Sequence, residues 1–224
     1  MRIIAFSDLH IPFTNRYFLD FIKVVPAKAD LVVIVGDIFD LIRCSEKDIK
    51  KSKIGRELIN SLETLMFKVR TILIKGNHDP ELEKIAPKFF KFAYEKSLLD
   101  VREKFIIENY LFIHGHQFDS VCKRIKWKWL KKIMPFFFRT PSEWKVRKRE
   151  KWKKHIASIY SNCYTFLEKN RNLNLVIGHT HYASKHIIET KQFLIDCGDF
   201  WDSCSWTEID LKLKNATIRR WKIQ

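Results

Sequence analysis

Glycine is scarce: the chain of 224 residues has six. Five of them, Gly36, Gly76, Gly115, Gly178 and Gly198, lie beside histidine- or aspartate-bearing segments. Glycine lets backbone turn sharply or come close to a neighbour, so this placement marks those segments as crowded. Cysteine is sparse too. Five cysteines, odd in number and without a CxxC pair, exclude a disulfide framework and a zinc ribbon, and fit a reducing compartment. No apolar run approaches the roughly 20 residues of a membrane-spanning helix. Met1 leads directly into an apolar strand, with no charged region, apolar core and cleavage site of a signal peptide. The expected location is cytoplasmic, with room for peripheral membrane contact. Repeats and low-complexity linkers are also absent, so residues 1–224 read as a single domain.

Acidic residues are in deficit, 26 against 42 basic ones, for a net charge of +16 and a pI near 9.7. The imbalance is local. Residues 123–154 hold fourteen Lys or Arg against two Glu, which leaves the remainder close to neutral. Anionic partners are implied: phosphate esters, nucleic acid or an acidic membrane face.

Apolar runs at 2–6, 31–35, 71–75, 110–113 and 173–177 read as buried strands. The run Leu31-Val-Val-Ile-Val35 has the character of a parallel strand covered on both faces. Helical spacing of apolar residues marks 15–25, 55–68 and 81–92. A strand over 101–107 is expected to pair antiparallel with 110–113, and short strands over 185–189, 192–196, 204–211 and 216–222 complete the chain. This succession predicts an α/β fold, a four-layer α-β-β-α sandwich of two mixed sheets with a helical cap insertion at about 117–170.

The strand ends carry the chemistry. Asp8-Leu9-His10, Gly36-Asp37, Gly76-Asn77-His78-Asp79, His114 and Gly178-His179-Thr180-His181 each follow an apolar run. In open α/β sheets ligands bind beyond the carboxyl ends of the strands. Asp8, His10, Asp37, Asn77, His114, His179 and His181 offer carboxylate, imidazole and amide oxygen but no thiolate, a set that suits Mn²⁺, Fe or Zn²⁺. Seven donors exceed what one tetrahedral ion needs, so two divalent ions are the economical reading. Such a pair activates a bridging hydroxide and clamps the oxygens of a phosphoryl transfer. His78 then faces the substrate as a charge stabiliser or proton donor, with Asp79 to orient it. Asp40 reads as a supporting residue or a cap.

Taken in order, Asp8-Leu9-His10, Gly36-Asp37-Ile38-Phe39-Asp40, Gly76-Asn77-His78-Asp79, His114 and Gly178-His179-Thr180-His181 resemble the five motifs of the calcineurin-like metallophosphoesterases. The resemblance implies one ion held by Asp8, His10, Asp37 and His181, and another by Asp37, Asn77, His114 and His179.

The insertion is the substrate candidate. Apolar spacing predicts helices over 119–134 and from a capping box at Thr140-Pro141-Ser142-Glu143 onward, the latter burying Trp152, Ile156, Ile159, Cys163 and Leu167. Lys123, Arg124, Trp127, Lys128, Phe137 and Arg139 are the expected substrate contacts. Aromatic side chains suit acyl chains or a membrane interface, and the cations suit phosphates; the same mixture suits single-stranded nucleic acid. His114-Gly115-His116-Gln117-Phe118-Asp119, the insertion and Cys197-Gly198-Asp199-Phe200-Trp201 further resemble UDP-2,3-diacylglucosamine pyrophosphatases and their relatives. That resemblance implies hydrolysis of a diphosphate or phosphodiester in an amphiphilic nucleotide-lipid or nucleotide-sugar substrate. It also implies a lid over acyl chains. The alternatives are a nuclease or cyclic-nucleotide phosphodiesterase, and a non-catalytic scaffold, against which the intact donor set and His78 argue.

Replacing Asp37 or His179 with alanine should abolish both metal content, measured by elemental analysis, and phosphodiester hydrolysis; full activity in either variant would sink the assignment.

Overall fold

The computed structural model describes residues 1–124, 149–188 and 192–221. Strands β1 (Arg2–Phe6), β2 (Leu31–Val35), β3 (Thr71–Ile74) and β4 (Asp100–Arg102) run parallel. With β10 (Ser205–Asp210) and β11 (Asn215–Arg220), both joined antiparallel, they form a sheet ordered β11-β10-β1-β2-β3-β4. A second sheet is ordered β5-β6-β7-β9-β8, from β5 (Lys104–Ile107), β6 (Tyr110–Ile113), β7 (Asn174–Ile177), β8 (Ser184–Ile187) and β9 (Phe193–Asp196). Its three central strands are parallel and both edges antiparallel.

Alternation along the strands builds the layers. Successive side chains point to opposite faces, so Ile3, Ala5, Val33, Val35, Ile72 and Ile74 meet Phe105, Tyr110, Phe112, Val176 and Ile195 between the sheets. The intervening Ile4, Phe6, Val32, Ile34 and Leu73 face outward, against Phe18 and Phe21 of α1 (Tyr17–Val24) and Leu58, Leu62 and Leu65 of α3 (Lys53–Lys68). Phe89 of α4 (Leu82–Phe89) and Ala93 of α5 (Lys91–Glu95) join that cluster. On the other side, Leu111, Leu175, Ile177 and Leu194 bury against Ile156, Ile159, Cys163 and Leu167 of the helix Arg149–Lys169. The expected α-β-β-α sandwich is therefore the observed one, and the predicted helical stripe of the insertion's second half packs as its spacing implies.

Three local expectations change. The run 101–107 is two strands: Asp100–Arg102 pairs with β3, and Lys104–Ile107 pairs with β6. The chain bends at Glu103, whose carboxylate meets Lys75 Nζ at 2.6 Å, and crosses from one sheet to the other. The helix at 81–92 divides at Phe90 into α4 and α5. A further helix, α2 (Glu46–Lys51), is started by a capping box in which Ser45 and Asp48 exchange hydrogen bonds. Its single buried residue, Ile49, gives it no apolar periodicity to read. No helix among the described residues is long and apolar enough to cross a membrane.

Strands β1, β2, β3, β6 and β7 all end at one side of the sandwich, where the five motif loops converge. The helix Arg149–Lys169 carries the chain from the insertion, beside that end, back to the start of β7, so its packing matters. Ile159→Ala removes a fully buried side chain and should cost about 2–5 kcal/mol of unfolding free energy. Ile187→Ala, at a site 73% exposed, should stay within about 0.5 kcal/mol. Urea midpoints at unchanged slope are the measurement.

Candidate metal centre

The loops are held in unusual backbone. Asp8, His10, Asp37, His179 and His181 have φ of 54, 50, 50, 72 and 58°, in the left-handed region. For residues with a Cβ this costs roughly 1–2 kcal/mol each, and such outliers cluster at functional sites. Backbone hydrogen bonds hold them there: Asp8 N to Gly36 O at 3.1 Å, His10 N to Asp37 O at 2.9 Å, and His179 N to Asp8 Oδ2 at 2.8 Å. At Gly76 a Cβ would collide with the Asp37 carboxylate and backbone, which is why no larger residue fits there.

Asp37 stands at the middle. Its Oδ1 accepts from His78 N at 2.8 Å. Its Oδ2 lies 3.7 Å from His10 Nε2 and 3.3 Å from His114 Nε2. His114 Nε2 is also 3.0 Å from Asn77 Oδ1. On the other flank Asp8 Oδ1 is 3.6 Å from His10 Nε2 and 3.5 Å from His181 Nε2. Donors bound to one ion at about 2.1 Å lie roughly 3–3.6 Å apart; Asp8, His10 and His181 form one such group and Asp8, Asp37 and His114 another, with Asp37 Oδ2 between His10 and His114. Asp8 Oδ1 and His10 Nε2 are fully buried and accept or donate no hydrogen bond. Orphaned polar atoms of this kind are rare in folded proteins, and a cation facing them accounts for both. The residues present therefore fit a pair of divalent ions.

A second ring of contacts fixes the imidazoles. His114 Nδ1 donates to Val35 O at 2.7 Å, which leaves Nε2 facing Asp37. His181 Nδ1 pairs with Asp199 Oδ2 at 2.9 Å. His10 Nδ1 is 3.5 Å from Asp40 Oδ2. His78 Nδ1 sits 3.1 Å from Asp40 Oδ1, so Asp40, not Asp79, orients His78. The expected His78–Asp79 pairing fails because Asp79 turns inward: it accepts from Gly76 N, Ile38 N and Phe39 N at 2.8, 2.8 and 3.1 Å and knits two loops together. Burial and the nearby Asp37 charge push its carboxyl up to about 6.

Four contacts escaped the sequence reading, although it singled out the segments of Asp199 and Trp201 and left Asp119 and His116 between a place beside the site and one facing solvent. Asp199 holds His181, and its place in the Gly-Asp-aromatic turn was a signal. Arg43 pairs with Asp40 and lies over the rings of Phe13 and Trp201 at 4.9 and 5.3 Å. Trp201 itself stands 5.7 Å from the His181 ring. Asp119 Oδ2 lies 2.9 Å from His179 Nε2 and 3.0 Å from His155 Nε2. Burial opposes the charge on Asp119, but the His179 hydrogen bond and charge, with Val121 N and His155, hold it well below the usual carboxylate range. His116 lies 5.5 Å from the His114 ring, and burial with its charged neighbours pushes it down to about 3.

Residues 1–183 match the family model described as calcineurin-like phosphoesterase. The chain belongs to that family. It is accordingly a metal-dependent phosphoesterase, a member of a family that uses divalent metals. Sequences from three strains of Coxiella burnetii named UDP-2,3-diacylglucosamine hydrolase are 28% identical over 204 residues, 80% of each chain. Two solved structures share the fold of this phosphoesterase. One is TT1561 of Thermus thermophilus, with TM-score 0.53 and 10% identity over 98% of each chain. The other is a dimetal phosphatase of Danio rerio, with TM-score 0.51 and 9% identity over 93% of this chain and 91% of that one.

Of the expected substrate contacts, Lys123 and Arg124 lie at the end of the helix Ser120–Arg124, with their side chains outside the described residues; Trp127, Lys128, Phe137 and Arg139 lie wholly outside them.

Burial disfavours a charge on His10, yet Asp40, Asp8 and Asp37 raise it to about 10; the same contest, won by Asp37 and Asp8 with the Val35 carbonyl, raises His114 to about 9. Both are therefore protonated at pH 7.5 before an ion arrives. Ligation requires the neutral ring, so uptake should release on the order of two protons and tighten as pH rises toward 9–10. Calorimetric Mn²⁺ titrations in buffers of different ionisation enthalpy measure this; no proton release would contradict it.

Proposed function

We propose that the chain hydrolyses a diphosphate or phosphodiester bond in an amphiphilic nucleotide-lipid or nucleotide-sugar substrate of the UDP-2,3-diacylglucosamine type. The observation that carries the reading is the match to the Coxiella hydrolases, which extends through 80% of both chains. An aromatic, cationic insertion between His114 and β7 supports it.

One ion is assigned to Asp8, His10, Asp37 and His181, and the other to Asp37, Asn77, His114 and His179. The oxygen-and-imidazole donors suit Mn²⁺, with Fe and Zn²⁺ next. When bound, the ions would supply an activated water and neutralise charge on the phosphoryl oxygens. The chain's own side chains do the rest. Asp37 Oδ2 faces both cages, because Oδ1 is already committed to His78 N. His78 keeps Nδ1 against Asp40, so Nε2 is the nitrogen offered to the substrate, for proton delivery to the leaving oxygen or for charge stabilisation. Its side chain is 17% exposed, against 0–2% for Asp8, Asp37 and His10, so it stands at the solvent side of the centre. The insertion would hold the acyl portion while its cations meet the phosphates. Such a substrate is met at an anionic membrane surface, which suits a cytoplasmic, membrane-peripheral protein.

The test is a panel with Mn²⁺: UDP-2,3-diacylglucosamine, a CDP-lipid, cyclic nucleotides, oligonucleotides and bis(p-nitrophenyl) phosphate. Preferred turnover of the diphosphate lipid is expected, and preference for oligonucleotides with a steep salt dependence would replace this reading by a nuclease. Replacing residues 125–148 with a glycine–serine linker should remove lipid turnover and spare bis(p-nitrophenyl) phosphate; equal loss of both in a folded variant would count against the insertion as the lipid-binding element.

A further inference from the structure

The imidazoles of the centre follow a rule with one exception. His114 and His181 each tie Nδ1 to a partner outside the cages and present Nε2 inward. His179 does the reverse. Its Nε2 is 2.9 Å from Asp119 Oδ2. An ionised carboxylate only accepts hydrogen bonds, so the shared proton rides on Nε2 and the lone pair left for a cation is on Nδ1.

Asp119 is also the knot of the insertion. Its Oδ1 accepts from Val121 N at 2.7 Å and Cys122 N at 3.3 Å, which caps the start of helix α6 (Ser120–Arg124). Its Oδ2 takes a second partner, His155 Nε2 at 3.0 Å, from the returning helix α7 (Arg149–Lys169). The residue is 3% exposed. Its contacts therefore come from both ends of the insertion and from the loop after β7.

We propose that Asp119 is a positioning residue for the second ion: by accepting a hydrogen bond from the Nε2–H of His179 it leaves Nδ1 for the metal, and it ties that ligand to both ends of the insertion. The inference rests on the assignment of His179 to the second ion. Partners of metal-ligating histidines typically contribute 10–100-fold in metal affinity, and that is the effect expected here, confined to one of two ions.

The experiment is a two-site Mn²⁺ titration of the full chain by calorimetry, with the spin-coupled electron paramagnetic resonance signal of the paired ions as a second readout. Asp119→Ala should weaken one ion about 10–100-fold and leave the other unchanged, replacing the coupled signal by that of isolated Mn²⁺. Asp119→Asn keeps an oxygen for the helix cap but not the charge; it should weaken the same ion to a smaller extent, and it decides the matter if the alanine variant does not fold. Wild-type affinity for both ions in a folded Asp119→Asn protein, or equal weakening of both, overturns the proposal. A third ion in the wild type that disappears in Cys122→Ser also overturns it, because Cys122 Sγ lies 3.8 Å from His179 Nε2 and a metal would then occupy the place assigned to the proton. A wild-type chain that binds fewer than two Mn²⁺ refutes the two-ion reading itself, and this inference with it.

Discussion

The carboxylate of Asp37 is the point on which the two sheets agree. One oxygen is committed to the backbone of His78, so the other alone must serve His10 on the first sheet and His114 on the second. With a divalent ion bound on each side, that single oxygen would fix the distance between the sheet ends more tightly than apolar packing does, because hydrophobic contact is non-directional. The loops around it are arranged to keep it there. Asp79 staples the Asp37 loop to the Gly76 loop through three backbone N–H groups, and Asp40 braces His10 and His78 together.

This arrangement has an electrostatic cost that the neighbouring imidazoles offset. Asp8, Asp37, Asp40 and Asp79 are all essentially inaccessible to water. Buried carboxylates without compensation are expensive. Without ions, the centre compensates by charging His10 and His114 far above the usual histidine range and by pushing Asp79 toward protonation. Two divalent cations would replace those protons with more charge in a smaller volume. The left-handed backbone at five of the motif residues belongs to the same account. Strain and crowded charge sit together because both are tolerated only where something bound repays them.

Much of this was legible in the sequence because it is local. An Asp, Asn or His at the end of an apolar run, preceded by glycine at Asp37, Asn77 and His179, marks a strand end, and the order of five such ends points to the fold and the family. What escaped notice depends on distant pairings. Asp119 meets His179 across 60 residues, and Arg43 reaches Trp201 only in the folded chain. Asp79 adjoins His78 in sequence, yet two of its three partners lie some 40 residues away on the Asp37 loop. The break at Glu103 is invisible for a related reason: Val101 and Phe105 are both apolar at strand spacing, but one packs in the outer cluster and the other between the sheets. Helix α2 was missed because its signal was a cap rather than a stripe.

Reaction class is written in the strand-end loops, and in our proposal substrate choice is written in the insertion. The strand-end loops are short, buried and mutually constrained, which leaves them little freedom to change with substrate. The sequence between His114 and β7 carries most of the excess positive charge, with aromatic residues among the cations. A substrate-binding element of this kind serves catalysis only if its position is referred to the reacting centre within a fraction of an ångström. Long helices alone do not provide that; they slide and tilt on apolar faces. The polar contacts where the insertion leaves and rejoins the core do, since hydrogen bonds fix both distance and angle. Asp119, with His155 on one side and His179 on the other, stands at that junction, so one carboxylate joins both ends of the insertion to the loop that carries His179.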